Sequence, residues 1–441
     1  MDSRLRALRL VPLAFLAVIA LGAVLLMLPA SRADDGASFV MPAAFTAVSA
    51  VCVTGLITVD TATFWTPFGQ GVILGLIQVG GLGIMTLATM LGLFVSGKLG
   101  LRSTVVAQTE SKTLNLGDVR GVLRRIVLTV LLCELVTAVV LTARFRAGYD
   151  DSWATALWHG VFHAVSAFNN AGFALYTDNL IPFVGDAWIC VPISLAVIVG
   201  GIGFPVLAEL FRRTPVSRWT IHTRITVFGT LLLLVAGIGT MLVFEWSNPV
   251  TFGPLGVQDK LTAAFTSGVM PRTAGFNNID YGQVREETLA VNDVLMFIGG
   301  GSAGTAGGIK VTTFFLLAFV IWAEVRGETH VSVGTRRVTV GAQRQALSVA
   351  LLGVAAVAAG TLVILIGSEV RLDAAMFESI SAFATVGLST GITASLPVSG
   401  QVVLMVLMFV GRVGTITVAS ALALRKRQPL FQYPEERPIV G

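Results

Sequence analysis

The sequence is short of charge. Only 12% of its 441 residues are Asp, Glu, Lys or Arg, whereas 54% are hydrophobic and the mean hydropathy is +0.82. A typical soluble domain carries about 25% charged residues. Because so few charges could not cover the surface of a soluble protein of this length, the composition excludes a soluble globular protein. It predicts one membrane domain that runs through the chain.

Cysteine and histidine are also scarce. Three widely spaced cysteines, Cys52, Cys133 and Cys190, make neither a disulfide framework nor a zinc pattern. His159 and His163 have helical spacing, but no carboxylate or cysteine stands at ligand spacing nearby. We interpret both histidines as lying at the foot of a membrane-edge helix. No Ser/His pair, paired Asp or metal constellation falls inside the apolar stretches, so we predict no enzyme and no covalently bound cofactor.

Long apolar stretches dominate instead. Eight are long enough to cross a bilayer, and four of about ten to fifteen residues are too short and suit re-entrant helices. The first stretch follows three arginines like a signal peptide, but it exceeds a signal core, so we predict a retained helix. The long stretches are 10–28, 69–95, 125–143, 187–211, 224–245, 291–324, 346–366 and 399–424; the short ones lie near 41–51, 154–168, 258–268 and 373–383.

The basic residues are unevenly distributed between the loops. Of the 30 Lys and Arg residues, 21 fall in the termini and the loops of one side. Seven fall in the loops of the other side: Arg32, Arg144, Arg146, Lys260, Arg272, Arg285 and Arg371. Two, Lys310 and Arg412, lie inside predicted spans. Since basic loops stay in the cytoplasm, we expect both termini to be cytoplasmic and the four short segments to enter from outside. The net charge of +5 therefore reflects membrane topology, and we predict lipid rather than nucleic acid as its surroundings.

Each short segment ends in a similar phrase: a Ser-rich helix end, a few residues, then Gly followed by Leu or Phe. The glycines are 117, 103 and 112 residues apart, a fourfold repeat of about 110 residues. The predicted fold is an all-α polytopic membrane protein of four tandem helix–pore-loop–helix repeats, with eight transmembrane helices and four re-entrant pore helices around a pseudo-fourfold pore. The repeats are 1–95, 96–211 with its preceding cytosolic loop, 212–325, and 326–441 with the C-terminal tail.

The repeated glycines suit an ion filter. Non-helical backbone survives at membrane depth only where it is buried or lines water. A potassium filter aims stacked carbonyls at one axis, which glycine permits, and the C-terminus of a short helix adds a negative dipole end. One glycine would indicate a turn between helices; four in matched contexts favour a pore. The predicted ion-binding residues are Val53, Thr54, Gly55, Asn170, Ala171, Gly172, Thr273, Ala274, Gly275, Thr385, Val386 and Gly387.

The four loops are not equivalent. Only Thr385-Val386-Gly387 matches the start of the potassium-channel phrase Thr-Val-Gly-Tyr-Gly, and Leu388 replaces its tyrosine. The other loops keep a single glycine. We therefore expect fewer ordered carbonyl layers and modest selectivity.

Glycine clusters recur in the second helix of each repeat. We interpret those at 80–83 and 200–203 as small residues that let helices pack closely. The third, 299–310, has six glycines in twelve residues, and each costs about 1 kcal/mol relative to alanine, so it should break the helix. A phosphate-binding loop does not fit, because Lys310 is not preceded by glycine.

Two charged residues fall inside predicted spans. Burying Arg412 costs about 2.5–3.5 kcal/mol on insertion scales. It either pairs with a backbone carbonyl or other polar groups, or it places a positive charge that raises the barrier to cation leak. Glu134 could relay protons, but an interhelical hydrogen bond is the favoured interpretation.

These features resemble the Trk/Ktr/HKT superfamily of potassium transporters over essentially the whole chain, and the bacterial Ktr membrane subunit most closely. The resemblance implies potassium uptake across the plasma (inner) membrane, with K⁺ as the transported ion and Na⁺ as a candidate activator. It implies a homodimer on a cytosolic ring of nucleotide-binding, RCK-type (KtrA-like) regulatory subunits. It also implies an intramembrane gate beneath the filter, formed by Gly299, Gly300, Gly301, Ser302, Ala303, Gly304, Thr305, Ala306, Gly307, Gly308, Lys310 and Arg412.

Two other transport classes compete with this prediction. A sodium-coupled or sodium-permeable cation symporter of the same superfamily is the alternative function. A secondary transporter with broken helices would have inverted repeats. Since every short segment is predicted to enter from one side, inverted repeats are disfavoured.

Overall fold

The computed structural model describes residues 3–33, 39–100, 116–213, 215–334 and 336–414. The predicted C-terminal tail, the last ten residues of the predicted eighth span and most of the predicted cytosolic loop before the second repeat fall on 415–441 and 101–115, outside the described residues.

The described chain is almost entirely helical and repeats one order of elements four times. Each unit has a long helix, a short helix that ends in a glycine loop, and a further helix or helix pair. The units are α1 (Ser3–Leu26), α2 (Val40–Val51), α3 (Thr61–Phe64) and α4 (Pro67–Gly100); α5 (Leu116–Gly148), α6 (Trp153–Phe168), α7 (Ala187–Ile202) and α8 (Phe204–Phe211); α9 (Ile221–Thr240), α10 (Val257–Val269), α11 (Glu286–Ile298) and α12 (Val311–Val325); and α13 (Val340–Gly367), α14 (Leu372–Ala384) and α15 (Val398–Phe409).

Polar side chains at the helix starts explain several of these boundaries. Ser152, Asp186, Thr220 and Thr339 each accept a hydrogen bond from a backbone N–H in the first turn of α6, α7, α9 and α13. Such N-caps satisfy donors that the helix itself leaves free. Two helices continue into π-helical turns, at Met241–Glu245 after α9 and Val410–Gly414 after α15.

The outer surface of the helices is apolar. On α5, Leu132, Leu135 and Val139 are each about 60% exposed, while Leu141 and Phe145 on the same helix are buried. Among the described residues, Gly121–Gly148, Ile221–Glu245 and Val340–Gly367 are long and apolar enough to cross a membrane, and α7 with α8 forms a bent fourth candidate. This apolar shell belongs to a helical membrane protein, since an aqueous surface would not tolerate it.

Two local features of the elements were not predicted from the sequence. The segment 187–211 is not one straight span, because Gly203 has a φ of +99° and α7 meets α8 at 101°. The chain is mostly helical, but β1 (Ser332–Val333) and β2 (Arg336–Arg337) pair as a short antiparallel hairpin. Both features are too short or too local to change the hydropathy pattern.

Small residues let the helix backbones approach one another closely. A methyl group built on Gly237 of α9 would lie 2.6 Å from the Gly268 carbonyl oxygen of α10. One built on Gly268 would lie 2.6 Å from the Ile238 nitrogen. Crossings between small residues of this kind are typical of helices that pack in lipid.

We expect Gly237→Val to lower the thermal unfolding midpoint of the purified protein, because the added side chain must push α9 away from α10. Overpacking of this kind costs about 1–3 kcal/mol. Gly239→Val is the matched control on the same helix, since nothing lies within 4 Å of a methyl group built there. Equal midpoints for the two variants would contradict the proposed crossing.

Candidate functional site

The loops after α2, α6, α10 and α14 share one backbone conformation. In each, two residues in the left-handed region flank a single ordinary residue, and the second is the repeated glycine. Alternating hands turn successive carbonyls toward the same side, whereas an extended strand would alternate them. The pairs and their φ angles are Val53 (55°) and Gly55 (94°), Asn170 (60°) and Gly172 (72°), Thr273 (75°) and Gly275 (68°), and Thr385 (50°) and Gly387 (93°).

The four loops close into a ring. A methyl group built on Gly172 would lie 2.7 Å from the carbonyl oxygen of Ala274, the residue before the next repeat's glycine. The other three glycines meet the equivalent carbonyl even more closely, and the fourth loop contacts the first. The contacts run from Gly55 to Ala171, from Gly172 to Ala274, from Gly275 to Val386 and from Gly387 to Thr54.

This cyclic order places all four loops around a single axis. The structure also brings together the twelve residues predicted to bind ions, and every one of them is buried. At each of the four glycines, a carbonyl oxygen of the next loop lies so close that a side chain would not fit.

Serines at the ends of the short helices support the backbone behind the ring. In the first and fourth loops, Ser49 and Ser381 accept hydrogen bonds from the glycine N–H groups, Gly55 and Gly387, each at 3.1 Å. In the second loop, Ser166 instead donates to the Phe173 carbonyl at 2.8 Å. Each serine stands six residues before its glycine.

The third loop is longer. Ser267 stands eight residues before Gly275 and donates to the Asn278 side chain at 2.6 Å. The additional length carries Arg272, which is buried. Counting Arg272 among the loops of one membrane face was wrong, because the residue lies inside the fold; the longer interval in the sequence was the available signal.

Buried polar residues on two short helices hold the chain just beyond the glycines. The His163 ring nitrogen Nε2 accepts from the Leu175 N–H at 3.3 Å, and the Glu378 carboxylate accepts from the Thr390 N–H at 3.2 Å. Each donor is three residues after its loop glycine. The prediction that His163 lies at the foot of a membrane-edge helix is wrong, because the residue is fully buried. Among the described residues, no three His, Cys, Asp or Glu side chains are grouped to hold a metal ion.

The glycine-rich segment 299–310 is a loop between α11 and α12, so the predicted helix break is confirmed. It lies directly against two loops of the ring. A methyl group built on Gly307 would overlap Thr385. The Asn170 amide, oriented to satisfy its surroundings, donates to Thr305 Oγ1 at 2.8 Å and to the Phe168 carbonyl at 3.2 Å.

The same loop also rests on the broken end of α7. The Gly201 carbonyl has no helical donor, because the residue four positions on is Pro205. Gly301 N–H donates to it at 2.8 Å, and Thr305 N–H donates to the Gly200 carbonyl at 3.1 Å. We predicted that the glycines at 200–203 only pack helices. They also form the surface to which the third glycine cluster, 299–310, is hydrogen-bonded.

Three cationic side chains bond to carbonyls of this loop. Arg412 donates to the Thr305 carbonyl and Lys310 to the Ala306 carbonyl, while Arg272 Nε donates to Gly299 at 3.0 Å. For Arg412, the structure thus shows the pairing with a backbone carbonyl. Arg272 was missed as a contributor because nothing local in the sequence connects residues 272 and 299.

Glu134 links two long helices to the second loop. Its carboxylate accepts from Gln78 Nε2 at 3.3 Å and from Asn169 Nδ2 at 3.0 Å. Asn169 ends α6 and directly precedes the left-handed Asn170. The preferred interpretation of Glu134, an interhelical hydrogen bond, is confirmed.

A closed ring of backbone carbonyls inside an apolar helical shell is typical of a membrane cation transporter, because such carbonyls can replace the water around a metal cation. The chain belongs to the TrkH family of cation transport proteins, which it matches over residues 11–432. The predicted superfamily resemblance is confirmed, and with it the prediction of a transporter rather than an enzyme.

Full-length relatives and a solved structure agree with this assignment. The chain is 39% identical over 427 residues to the Ktr system potassium uptake protein B of Bacillus subtilis (strain 168), covering 97% of this chain and 95% of that protein. It is 33% identical over 448 residues to the potassium/sodium uptake protein NtpJ of Enterococcus hirae, covering 99% and 98%. Its fold matches the crystal structure of the potassium transporter TrkH from Vibrio parahaemolyticus with a TM-score of 0.70 and 17% identity, over 95% of this chain and 84% of that one.

We expect Ser381→Ala to destabilise the protein, because it leaves the buried Gly387 N–H without an acceptor. An unsatisfied buried donor costs about 1–3 kcal/mol. Ser379→Ala is the matched control: within the described part of the chain, the buried Ser379 hydroxyl has no hydrogen-bond partner. Thermal unfolding should show a clear loss for the first variant and little change for the second; the reverse order would overturn the assignment.

Proposed function

We propose that the chain is a potassium-uptake subunit and that the ring of glycine loops is its selectivity filter. The closed cycle of backbone contacts at Gly55, Gly172, Gly275 and Gly387 carries this proposal. The twelve buried loop residues would supply the carbonyls that bind K⁺. The four units would then comprise eight transmembrane helices and four re-entrant pore helices, with the domain boundaries expected from the sequence.

The same proposal places the subunit in the plasma membrane with both termini in the cytoplasm. The excess of Lys and Arg in one set of loops supports this orientation. A homodimer on a cytosolic ring of RCK-type regulatory subunits is the proposed assembly. It is supported by similarity to a protein named as one component of a Ktr system.

Sodium is the basis of the second candidate function, a sodium-coupled or sodium-permeable cation symporter. A relative that is 33% identical is named a potassium/sodium uptake protein. The departure of three loops from the Thr-Val-Gly phrase favours a filter that discriminates modestly between the two ions. Na⁺ as an activator remains part of the proposal for the same reason.

The loop 299–310 is the proposed gate. It contacts the second and fourth filter loops, so an ion leaving the filter meets it at once. Its small residues allow it to move, and its bonds to Gly200, Gly201 and the three cations hold one position. Arg412 would both anchor the loop through Thr305 and oppose cation passage while it stays there.

We expect Gly387→Ser to reduce discrimination between potassium and sodium, because the added side chain displaces the Thr54 carbonyl in the ring. Gly391→Ser is the matched control. Its φ of +94° equals the 93° of Gly387, so the backbone strain is similar, but nothing lies within 4 Å of an added methyl group. The measurement is Rb⁺ and Na⁺ uptake in cells deficient in potassium uptake. Unchanged discrimination in Gly387→Ser would count against the filter.

We expect deletion of residues 302–307 to raise Rb⁺ uptake, because it removes the segment that contacts the filter and the Thr305 anchor. Discrimination between potassium and sodium should persist, since the filter loops are untouched. Arg412→Gln should produce a smaller rise, because it removes one anchor and one charge. The Rb⁺ uptake rate is normalised to the amount of protein in the membrane. An unchanged rate in both variants would contradict the gate assignment.

A further inference from the structure

A cleft of about 440 Å³ lies away from the filter, between the start of α11 and the start of α14. Its lining includes Glu286 and Asp293 from α11 and Arg371 and Asp373 from the start of α14. The short helices point their far ends at the ring, so their starts lie at its periphery. On the proposed orientation, the cleft faces the outside solution.

Most of the charge in the cleft is already paired. Arg371 forms a fork with Asp373, with its Nε 3.1 Å from Oδ1 and NH2 2.9 Å from Oδ2. The same NH2 is 3.0 Å from Glu286 Oε1. Hydrogen bonds to Asp373 and Glu286 raise the pKa of the Arg371 guanidinium, which keeps it charged.

Asp293 is the exception. Its side chain lines the cleft yet is only 7% exposed, and its Oδ1 has no hydrogen-bond partner in the described part of the chain. The nearby carboxylate of Asp373 repels its negative charge. A buried ionised carboxylate without a partner is strongly unfavourable, and it is stabilised when either a proton or a metal cation binds it.

The charge balance of the cleft favours a cation. With Asp293 ionised, three carboxylates face one guanidinium, and the starts of α11 and α14 each add about half a positive charge through their dipoles. The cleft therefore keeps about one net negative charge. Divalent cations take many oxygens, commonly with several carboxylates, whereas here Asp373 is occupied by Arg371 and only Asp293 is free. The volume leaves room for an ion that keeps part of its water.

We propose that this cleft is a second cation site, outside the pore, in which Asp293 binds a partly hydrated monovalent metal ion. The bound ion lies between α11, which leads into the gate loop, and α14, which leads into the fourth filter loop. The inference goes beyond the proposed potassium filter and rests on it only for the side of the membrane that the cleft faces.

The test is thermal unfolding of the full-length purified protein at constant ionic strength, with choline chloride replaced stepwise by NaCl or KCl. Ions in the filter stabilise every variant, so the informative quantity is the difference between variants. Asp293→Asn should lose part of the alkali-ion shift, on the order of 2 °C. Glu287→Gln, an exposed residue on the same helix that does not line the cleft, should keep the full shift.

Asp373→Asn is the second variant, because it frees Arg371 to pair with Asp293 and should also lose the shift. Equal alkali-ion shifts in the wild-type protein and Asp293→Asn would overturn the site. A shift lost with Asp293→Asn only when CaCl₂ is supplied would overturn its monovalent character. Discrimination between Rb⁺ and Na⁺ should stay unchanged in Asp293→Asn, so failure of this site is distinguishable from failure of the filter.

Discussion

At each of the four loop glycines, the backbone of one loop touches a carbonyl of the next, and nothing larger than hydrogen fits between them. This contact limits where every other part can lie. The short helices must end at the ring, so serines at their ends and the buried His163 and Glu378 hold the loop backbone on either side of the glycines. The long helices then pack around these anchors through small residues.

The other constraint is that backbone groups remote from water need partners. Two helices are broken, and the breaks satisfy one another. Pro205 and the bend at Gly203 leave carbonyls of α7 free, and the glycine-rich loop after α11 donates to them. The carbonyls of that loop in turn accept from Arg272, Lys310 and Arg412. The glycines at 200–203, the glycine-rich loop and the three basic side chains thus form one hydrogen-bonded unit from four distant parts of the sequence.

The sequence predicted what depends on local composition. Hydropathy located the helices, the serine-to-glycine phrase located all four loops, and glycine density located the break after Ile298. What it missed depends on contacts between distant segments. The bend at Gly203, the burial of His163 and the bond from Arg272 to Gly299 each require knowing which loop lies beside which. The hairpin at 332–337 was missed because two-residue strands leave no periodic pattern.

The four loops of the ring belong to one chain, and they differ in length and in supporting contacts. In a channel assembled from four identical subunits, any substitution enters every loop at once. Here a substitution changes one loop, and the other three loops keep their places around the axis of the ring. Mutations can therefore change the four loops separately. The third loop, which is longer and contains the buried Arg272, could not have arisen if all four loops had to be identical.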